Sequence, residues 1–224
     1  MDYKYAYLIG VLSILFPIWL FLLIRRKDLR KEILLTSIVI GLLGPFSELL
    51  YLRDYWHPET IGTYPFGPEG FLFGFLLSGI AVSIYEEVYG RHLYRVKKLQ
   101  RPLFVLFFVI GFLLIVLPLV FLAGLNSIYA TTIGLLAIAT TVVFLRRDLV
   151  AHSLIGGLLT GVIMFLSYVV FLFIFPEAVG RWWSLQNVSS ILILGIPIEE
   201  LIWAFAVGAT IGPIYEFLLG YRLR

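Results

Sequence analysis

Long apolar runs, separated by short polar or basic segments, fill almost the whole chain. Each run has about 20 residues, the length that a helix needs to cross a hydrocarbon core of about 30 Å. The pattern predicts seven membrane-spanning helices, near residues 5–24, 33–52, 68–89, 102–123, 127–145, 151–174 and 190–219. In the last run Gly195-Ile196-Pro197 predicts a break, because a proline inside a helix loses a hydrogen bond and clashes with the preceding turn. The spanning part of this run should therefore begin near Pro197.

The chain also repeats itself. Residues 67–90 align without a gap on residues 197–220, so that Glu69 matches Glu199 and the Tyr-Glu pair at 85–86 matches that at 215–216. At a slightly shorter offset, the Arg-Lys-Asp-Leu turn at 26–29 matches Arg-Arg-Asp-Leu at 146–149. We interpret the fold as an all-α integral membrane domain, 1–224, with a 3+1+3 parallel internal repeat. Its parts are unit one (1–92), a linking helix (102–123) and unit two (126–224), and such a duplication predicts a site between the units.

Composition and charge fix the class and the expected orientation. With 61% hydrophobic and 14% charged residues, the chain has too little polar surface for a soluble globule. All but three of its 17 Lys and Arg follow spans one, three, five and seven, which the positive-inside rule places in the cytoplasm. We therefore expect a multi-pass protein of the cell membrane with its N-terminus outside and its C-terminus cytoplasmic. The net charge of +3 then reflects topology and not a nucleic-acid partner. Because MDYKY lacks a basic excess, span one should be retained and not cleaved as a signal peptide.

Four carboxyl groups converge on one depth near the outer surface. Glu48 lies near the outer end of span two, while Glu69, Glu199 and Glu200 lie in the first turns of inward-running spans. Ionisable groups at membrane depth usually face the protein interior and mark a functional site. A simpler role for Glu69 and Glu199 is to complement positive helix-dipole ends, but Glu48 sits at the wrong helix end for that. Clustered carboxyl groups in a low dielectric cannot all ionise, so at least one should hold a proton near neutrality.

Aromatic residues gather at the same depth and could stabilise a carbocation through their ring quadrupoles. The candidates are Tyr51, Tyr55, Trp56, Tyr64, Phe66, Phe71, Phe73, Tyr168, Phe171, Trp182, Trp183 and Trp203. A membrane-interface belt is the simpler expectation for those in the outer connections, namely Tyr55, Trp56, Trp182 and Trp183. Phe71, Phe73 and Trp203 follow the acids on their own helices and should line a pocket.

The segment GIPIEELIWAF at 195–205 resembles the small membrane lycopene cyclases of the heterodimeric or fused type. Those proteins consist of two related three-span units, each with a Pro-x-Glu-Glu-like motif; the first unit here departs from it, with Gly70 after Pro68-Glu69. The resemblance implies cyclisation of the linear end of a C40 carotenoid to a β-ionone ring, with no redox change and no cofactor. It implies a lipophilic isoprenoid substrate held by aromatic side chains. The predicted substrate-binding residues are Tyr55, Trp56, Phe71, Phe73, Tyr168, Trp182, Trp183 and Trp203. The predicted acid and base groups are Glu69, Glu199 and Glu200, with Glu48 in support.

Several other functions conflict with the residues present. A retinal Schiff base needs a lysine inside a span, and all five lysines lie outside the spans. Cysteine is absent and the aspartates are isolated, which excludes thiolate sites and disfavours the aspartate-rich motifs of prenyltransferases. We expect no metal site, because His57, His92 and His152 fall in places where they cannot meet around one ion. Two alternatives stay open: a small 3+1+3 transporter and a non-catalytic carotenoid or lipid binder.

The second duplicated acid pair, Glu86 and Glu216, lies near the cytoplasmic ends of spans three and seven. Acids there oppose the helix dipole, so we expect ion pairs with basic residues nearby. The candidate partners are Arg91, Arg95, Arg146, Arg147 and Arg222. Asp28 and Asp148, inside basic turns, should likewise form local ion pairs.

Overall fold

The computed structural model describes residues 3–61, 67–90, 92–96, 101 and 103–223. Seven helical spans in these residues are long and apolar enough to cross a membrane, which confirms the seven predicted runs and a multi-pass membrane protein. They are Tyr3–Arg25, Arg30–Tyr51, Pro68–Tyr89, Phe104–Phe121, Ser127–Leu145, Arg147–Ile174 and Ile198–Leu219. The orientation and the repeat stay predictions. Tyr64, Phe66 and Arg91 lie outside the described residues, as do the side chains of Arg95 and Arg222.

The described residues contain eleven α-helices, of which all but the short helix Ala178–Trp182 belong to the spans, and four short strands. The helices are α1 (Ala6–Gly10), α2 (Phe16–Arg25), α3 (Arg30–Tyr51), α4 (Pro68–Ala81), α5 (Ile84–Tyr89), α6 (Phe104–Phe121), α7 (Ser127–Leu145), α8 (Val150–Ile174), α9 (Ala178–Trp182), α10 (Ile198–Ile211) and α11 (Ile214–Leu219). A π-helical segment, Val11–Leu15, joins α1 to α2, and 3-10 turns occupy Tyr3–Tyr5 and Arg147–Leu149. The strands are β1 (Leu93–Arg95), β2 (Leu192–Ile193), β3 (Ile196–Pro197) and β4 (Tyr221–Leu223).

The first span changes its hydrogen-bond pattern just before Pro17. Proline has no N–H to continue the α-helical ladder, and here the backbone N–H of Phe16 bonds to the carbonyl of Val11, one residue further back than in an α-helix. Segments of this kind often occur at functional sites. Three residues of the segment, Val11, Ile14 and Leu15, line the cavity described below.

Spans three and seven are each divided in the same place. In span seven Pro213 separates α10 from α11, because it cannot continue the helix. In span three the Ser83 hydroxyl bonds to the Gly79 carbonyl at 2.8 Å, where α4 gives way to α5. Both spans then end on a left-handed glycine, Gly90 (φ 60°) and Gly220 (φ 73°). Strands β1 and β4, which follow these caps, pair with each other in antiparallel register. These matched features support the predicted repeat.

Small residues allow the central helices to approach closely, as is common in membranes. Between α3 and α4, a Cβ on Gly44 would lie 2.5 Å from the carbonyl oxygen of Gly70. Between α8 and α10, a Cβ on Gly157 would lie 2.8 Å from the carbonyl oxygen of Phe205. Spans three and seven are 56% and 67% buried, against 17% for the linking span Phe104–Phe121. Spans three and seven therefore occupy the centre of the bundle, and the linking span lies at its edge.

Two features of the outer connections position the site. The predicted break before the last span is a tight antiparallel pairing of β2 with β3, after which α10 begins at Ile198 as expected. The two long connections are joined to each other by backbone hydrogen bonds. The amide of His57 bonds to the carbonyl of Trp182 at 2.7 Å, and the amide of Ser184 bonds to the carbonyl of Tyr55 at 2.8 Å. This short ladder covers one end of the bundle.

Candidate active site

A cavity of about 270 Å³ lies between the two predicted repeat units, under this backbone ladder. Most of its lining is aliphatic or aromatic, as expected of a site for a lipophilic molecule. The aromatic and acidic side chains that line it are Tyr7, Glu48, Tyr51, Tyr55, Trp56, Phe73, Phe112, Tyr168, Phe171, Trp182, Trp183, Glu200 and Trp203. The four predicted acids are thus divided, because Glu48 and Glu200 line the cavity whereas Glu69 and Glu199 do not.

Glu200 is a buried carboxyl group held by hydrogen bonds from both sides. The Tyr168 hydroxyl donates to Oε2 at 2.5 Å, and Nε1 of the Trp183 indole donates to Oε1 at 2.8 Å. The Tyr55 hydroxyl is close enough to interact electrostatically with Glu200. Burial of Tyr55, together with the nearby charge of Glu200, raises the pKa of this phenol, so that Tyr55 stays neutral and able to donate a hydrogen. The carboxyl group of Glu200 is therefore fixed in place at the cavity wall.

Glu48 provides the equivalent acid from unit one, through a different helix. Its Oε1 accepts a hydrogen bond from the Tyr7 hydroxyl at 2.9 Å. Its carboxyl group occupies the space beside Gly70, where a Cβ would lie 2.5 Å from Oε2 of Glu48. The missing second acid of the first Pro-Glu-Gly motif is therefore replaced in space by an acid from α3.

In the repeat alignment, the acid that lines the cavity stands at a different position in each unit. Position 48 aligns with Tyr168, and position 70 aligns with Glu200. Unit one has an acid on its second span and a glycine on its third, whereas unit two has a tyrosine on the second and the acid on the third. Each unit consequently contributes one carboxyl group to the cavity, one on α3 and the other on α10.

Glu69 and Glu199 hold the outer connections instead of facing the cavity. Oε1 of Glu69 accepts a hydrogen bond from the backbone amide of Ile61 at 2.8 Å. Oε1 of Glu199 accepts equivalent bonds from the amide of Ser189 and the hydroxyl of Tyr129, both at 2.8 Å. In both units the first acid of the motif thus binds the chain segment that precedes its helix. This position gives no support to the catalytic role that the sequence predicted for these two residues.

Aromatic rings from the two units meet across the cavity. The rings of Phe73 and Trp203, which align in the repeat, are stacked with centroids 6.2 Å apart and planes 17° apart. Nε1 of Trp203 donates to the Tyr51 hydroxyl at 2.9 Å, and that hydroxyl bonds to the Thr131 hydroxyl at 3.0 Å. The chain of hydrogen bonds fixes the orientation of the Trp203 ring, which lines the cavity.

The outer aromatic residues are buried rather than arranged as a lipid-facing belt. Trp56 and Trp183 have ring centroids 4.1 Å apart, and Trp56 also contacts Trp182 edge-on at 5.5 Å. Trp182 and Tyr55 are each only 1% exposed, and Trp183 is 6% exposed. The belt expectation is therefore wrong for these three residues, which close the outer end of the cavity.

The structure differs from the sequence predictions at two aromatic residues, Phe71 and Tyr7. Phe71, predicted to bind substrate, does not line the cavity, because its position on α4 turns it towards Gly41 of α3. Tyr7, which donates to Glu48, was not among the predicted residues. Its position in the first span follows no acid and no motif, so only a helix-face assignment for that span could have indicated it.

The acids at the opposite end of the bundle, predicted to be cytoplasmic, also differ from expectation. Asp28 pairs with Arg26 at 2.9 Å and Asp148 pairs with Arg146 at 2.7 Å, which confirms both local ion pairs. Glu86 and Glu216 form no such pair with an arginine among the described side chains. Both lie beside His152, because the helix ends turn these acids into the bundle.

One part of the chain matches a known protein family. Residues 126–218 match the family described as Lycopene cyclase, which confirms the resemblance drawn from the sequence. The match coincides closely with predicted unit two and includes Glu199, Glu200 and Trp203. Neither curated proteins nor solved structures gave a significant match.

Proposed function

We propose that this chain, which carries a lycopene cyclase family domain over residues 126–218, is a membrane carotenoid cyclase that forms β-ionone rings by proton transfer. The observation that carries the proposal is the pair of buried carboxyl groups, Glu48 and Glu200, in one apolar and aromatic cavity. The substrate is a lipophilic carotenoid that enters from the bilayer. The cavity accepts one linear end group of it.

The reaction is an isomerisation, so atoms and electrons balance within the substrate. A carboxyl group donates a proton to the terminal carbon–carbon double bond, which leaves a tertiary carbocation. The next double bond attacks this cation and closes the six-membered ring, so that the positive charge moves into the ring. A carboxylate then removes a ring proton and the new alkene forms. One proton is gained and one is lost, and no oxidant or reductant is required.

The surroundings of the two acids suit different parts of this reaction. Glu200 accepts two hydrogen bonds, from Tyr168 and Trp183, and donors of this kind stabilise a carboxylate. Glu48 has the Tyr7 hydroxyl as its hydrogen-bond donor and lies next to the bare backbone of Gly70. We therefore assign proton donation to Glu48 and proton removal to Glu200.

The aromatic lining suits the cationic intermediate. A cation that lies over an aromatic face in a desolvated site gains about 2 kcal/mol or more. Phe73 and Trp203 supply such faces from the two units, and Trp203 is held by its bond to Tyr51. The tryptophans of the outer connections limit the access of water, which would otherwise quench the cation to an alcohol.

The two alternatives differ from a cyclase in what they require of the cavity. A transporter for polar solutes needs polar groups near the middle of the bundle, whereas this lining is mostly aliphatic and aromatic. A non-catalytic binder needs the aromatic cavity but not the acids. Conversion of the acids to amides therefore separates binder from enzyme.

The test is chromatography of pigments from lycopene-accumulating cells that express the chain. We expect new β-rings with the wild type, and none with Glu48→Gln or Glu200→Gln. Glu69→Gln and Glu199→Gln are matched controls at the same depth and should retain product. Unchanged lycopene in cells whose membranes contain the folded wild-type protein would contradict the proposal, as would full ring formation by Glu200→Gln.

A further inference from the structure

A second group of ionisable side chains lies at the other end of the bundle, far from the cavity. It comprises Glu32 of α3, Glu86 of α5, His152 of α8 and Glu216 of α11. All four are buried, with exposures of 1% or less. Glu86 and Glu216 follow Glu69 and Glu199 by 17 residues on their spans, which corresponds to about 25 Å along a helix. The group is thus separate from the proposed reaction.

Three of these residues, Glu86, His152 and Glu216, offer ligand atoms close to one another. Nε2 of His152 is 3.3 Å from Oε1 of Glu86, and Nδ1 is 3.8 Å from Oε1 of Glu216. One ligand atom from each of the three residues lies within 4.8 Å of the others. Tyr85 stacks on the imidazole at 4.6 Å with planes 17° apart, which fixes the orientation of the ring.

These groups have no hydrogen-bond partner outside their own group among the described residues; the Glu86 and Glu216 carboxyl groups contact each other, and both lie beside His152. Both carboxyl oxygens of Glu32, Glu86 and Glu216, and both ring nitrogens of His152, are buried and unpaired in this sense. Buried polar groups nearly always have a partner, because leaving one unpaired costs several kcal/mol for a charged group. Buried polar groups without a hydrogen-bond partner outside their own group indicate a ligand among Glu86, His152 and Glu216.

Among the described side chains, no arginine forms a close ion pair with Glu32, Glu86 or Glu216. Arg26 donates to Asp28 and lies 3.7 Å from Glu87, while Arg146 donates to Asp148 and to backbone carbonyls. Within the described part of the chain, the ion pairs of Glu86 and Glu216 involve His152 alone. A divalent cation would neutralise two carboxylates and bond to the free lone pairs.

The repeat alignment relates the members of the group in pairs. Glu86 aligns with Glu216 at the longer offset, and Glu32 aligns with His152 at the shorter one. Each unit therefore contributes the same two positions, so the group lies where the units meet. The group therefore combines three acids with one histidine, which stands at the position aligned with Glu32.

We propose that Glu86, His152 and Glu216 bind a divalent transition-metal cation, with Glu32 as a neighbouring carboxylate. One imidazole nitrogen combined with carboxylate oxygens is a donor set for Zn²⁺, Mn²⁺ or Fe²⁺, and is less suited to Ca²⁺, which takes oxygen ligands. The cation joins the cytoplasmic ends of spans two, three, six and seven, and so fixes the two units against each other. The sequence predicted no metal site, because its three histidines cannot meet around one ion; the proposed site combines a single histidine with two acids.

The experiment uses the full chain purified in detergent micelles. Metal content is measured by mass spectrometry after dialysis, before and after treatment with a chelator. Zn²⁺ and Mn²⁺ are then returned separately while the melting temperature is followed. We expect one bound ion per chain, a fall of several degrees in melting temperature on chelation, and recovery with one of the two cations.

Variants distinguish this site from adventitious binding. His152→Ala and Glu216→Gln should lose the ion and its effect on the melting temperature. His92→Ala is the matched control, because its side chain is 72% exposed and it should retain both. If His152→Ala does not fold, Co²⁺ added to the stripped wild type provides a second measurement, by its visible absorption and the loss of that absorption when Zn²⁺ is added.

The outcomes are separable from those for the cyclase. A wild type that binds neither cation stoichiometrically, or a Glu216→Gln variant that binds as the wild type does, would overturn the metal site. Ring formation by a stripped but folded protein would leave the site intact as a structural one, since the proposal assigns the metal no part in proton transfer.

Discussion

A methyl group on Gly70 would place its carbon 2.5 Å from Oε2 of Glu48, so the absence of a side chain at 70 makes room for the acid at 48. In the second unit the relationship is reversed, with Glu200 at the position of Gly70 and Tyr168 at the position of Glu48. The cavity-lining acid is on the second span of unit one and on the third span of unit two. Each unit thus places one carboxyl group at the cavity. A glycine in the first motif is therefore compatible with two acids in the site.

The change Gly70→Ala should displace the Glu48 carboxyl group and break its 2.9 Å bond to Tyr7. Because the end of a flexible side chain can move, we expect a loss of only about 1 kcal/mol in stability, the lower end of the range for overpacking. Ring formation should fall by at least tenfold. Gly111→Ala is the control, since nothing lies within 4 Å of its added carbon. Equal activity of the two variants would contradict the role of Glu48.

Trp203 should contribute to the rate through its ring face. Trp203→Leu removes about 2 kcal/mol of cation stabilisation, which corresponds to a decrease of about 30-fold in the turnover of lycopene in isolated membranes. Trp203→Phe keeps a ring and loses only the bond to Tyr51, so its rate should lie between those of the leucine variant and the wild type. Phe173→Leu, at an 89% exposed position, should leave the rate unchanged. A lower affinity with unchanged turnover in Trp203→Leu would argue against cation stabilisation.

Glu199 should contribute to the stability of the fold and not to proton transfer. Glu199→Ala removes the acceptor of the Tyr129 hydroxyl and leaves the Ser189 amide only its 2.9 Å bond to the Tyr129 oxygen, which should cost about 1–3 kcal/mol. Glu199→Gln retains an acceptor oxygen and should lose less than half as much. The measurement is the melting temperature of both variants, with product formation normalised to folded protein. Loss of product in a fully folded Glu199→Gln variant would instead make Glu199 a catalytic group.

The turn that joins spans one and two gives a prediction about the pH dependence of stability. Hydrogen bonds from Arg26 to both carboxylate oxygens lower the pKa of Asp28 from 3.8 to about 2. A lowered pKa contributes stability that is present above the ordinary value and is lost as pH falls through the folded-state value. In a His92→Ala background, which removes the imidazole 3.0 Å from the Asp28 carboxylate, the difference in melting temperature between Asp28 and Asp28→Asn should thus be constant from about pH 5 to pH 8 and shrink below about pH 4. A difference that changes between pH 6 and pH 8 would contradict this assignment.

The spans were predictable because each depends on local properties of the chain. Run length located all seven, and Pro197 located the start of the last. The choice between adjacent acids was not predictable, because Glu199 and Glu200 differ by about 100° around a helix whose facing elements the sequence does not give. The bundle turns Glu200 to the cavity and Glu199 to the outer connection.

The group around His152 shows a second limit of the sequence. Its members lie on four different spans, and each alone is an acid or a histidine near a helix end. Ion pairs with nearby arginines were the reasonable expectation for Glu86 and Glu216. Among the described side chains, Arg26 pairs with Asp28 and Arg146 pairs with Asp148, while Glu86 and Glu216 lie beside the imidazole of His152.

The most direct test of proton-initiated cyclisation is the mass of the carotenoid formed in D₂O by membranes that contain the chain, with lycopene supplied and no redox cofactor added. In ordinary water the product should have the same mass as lycopene. In D₂O each new ring should gain one deuterium and lose one hydrogen, so its mass should rise by one unit per ring. Rings formed without deuterium, or only when a reductant or oxidant is supplied, would contradict the account.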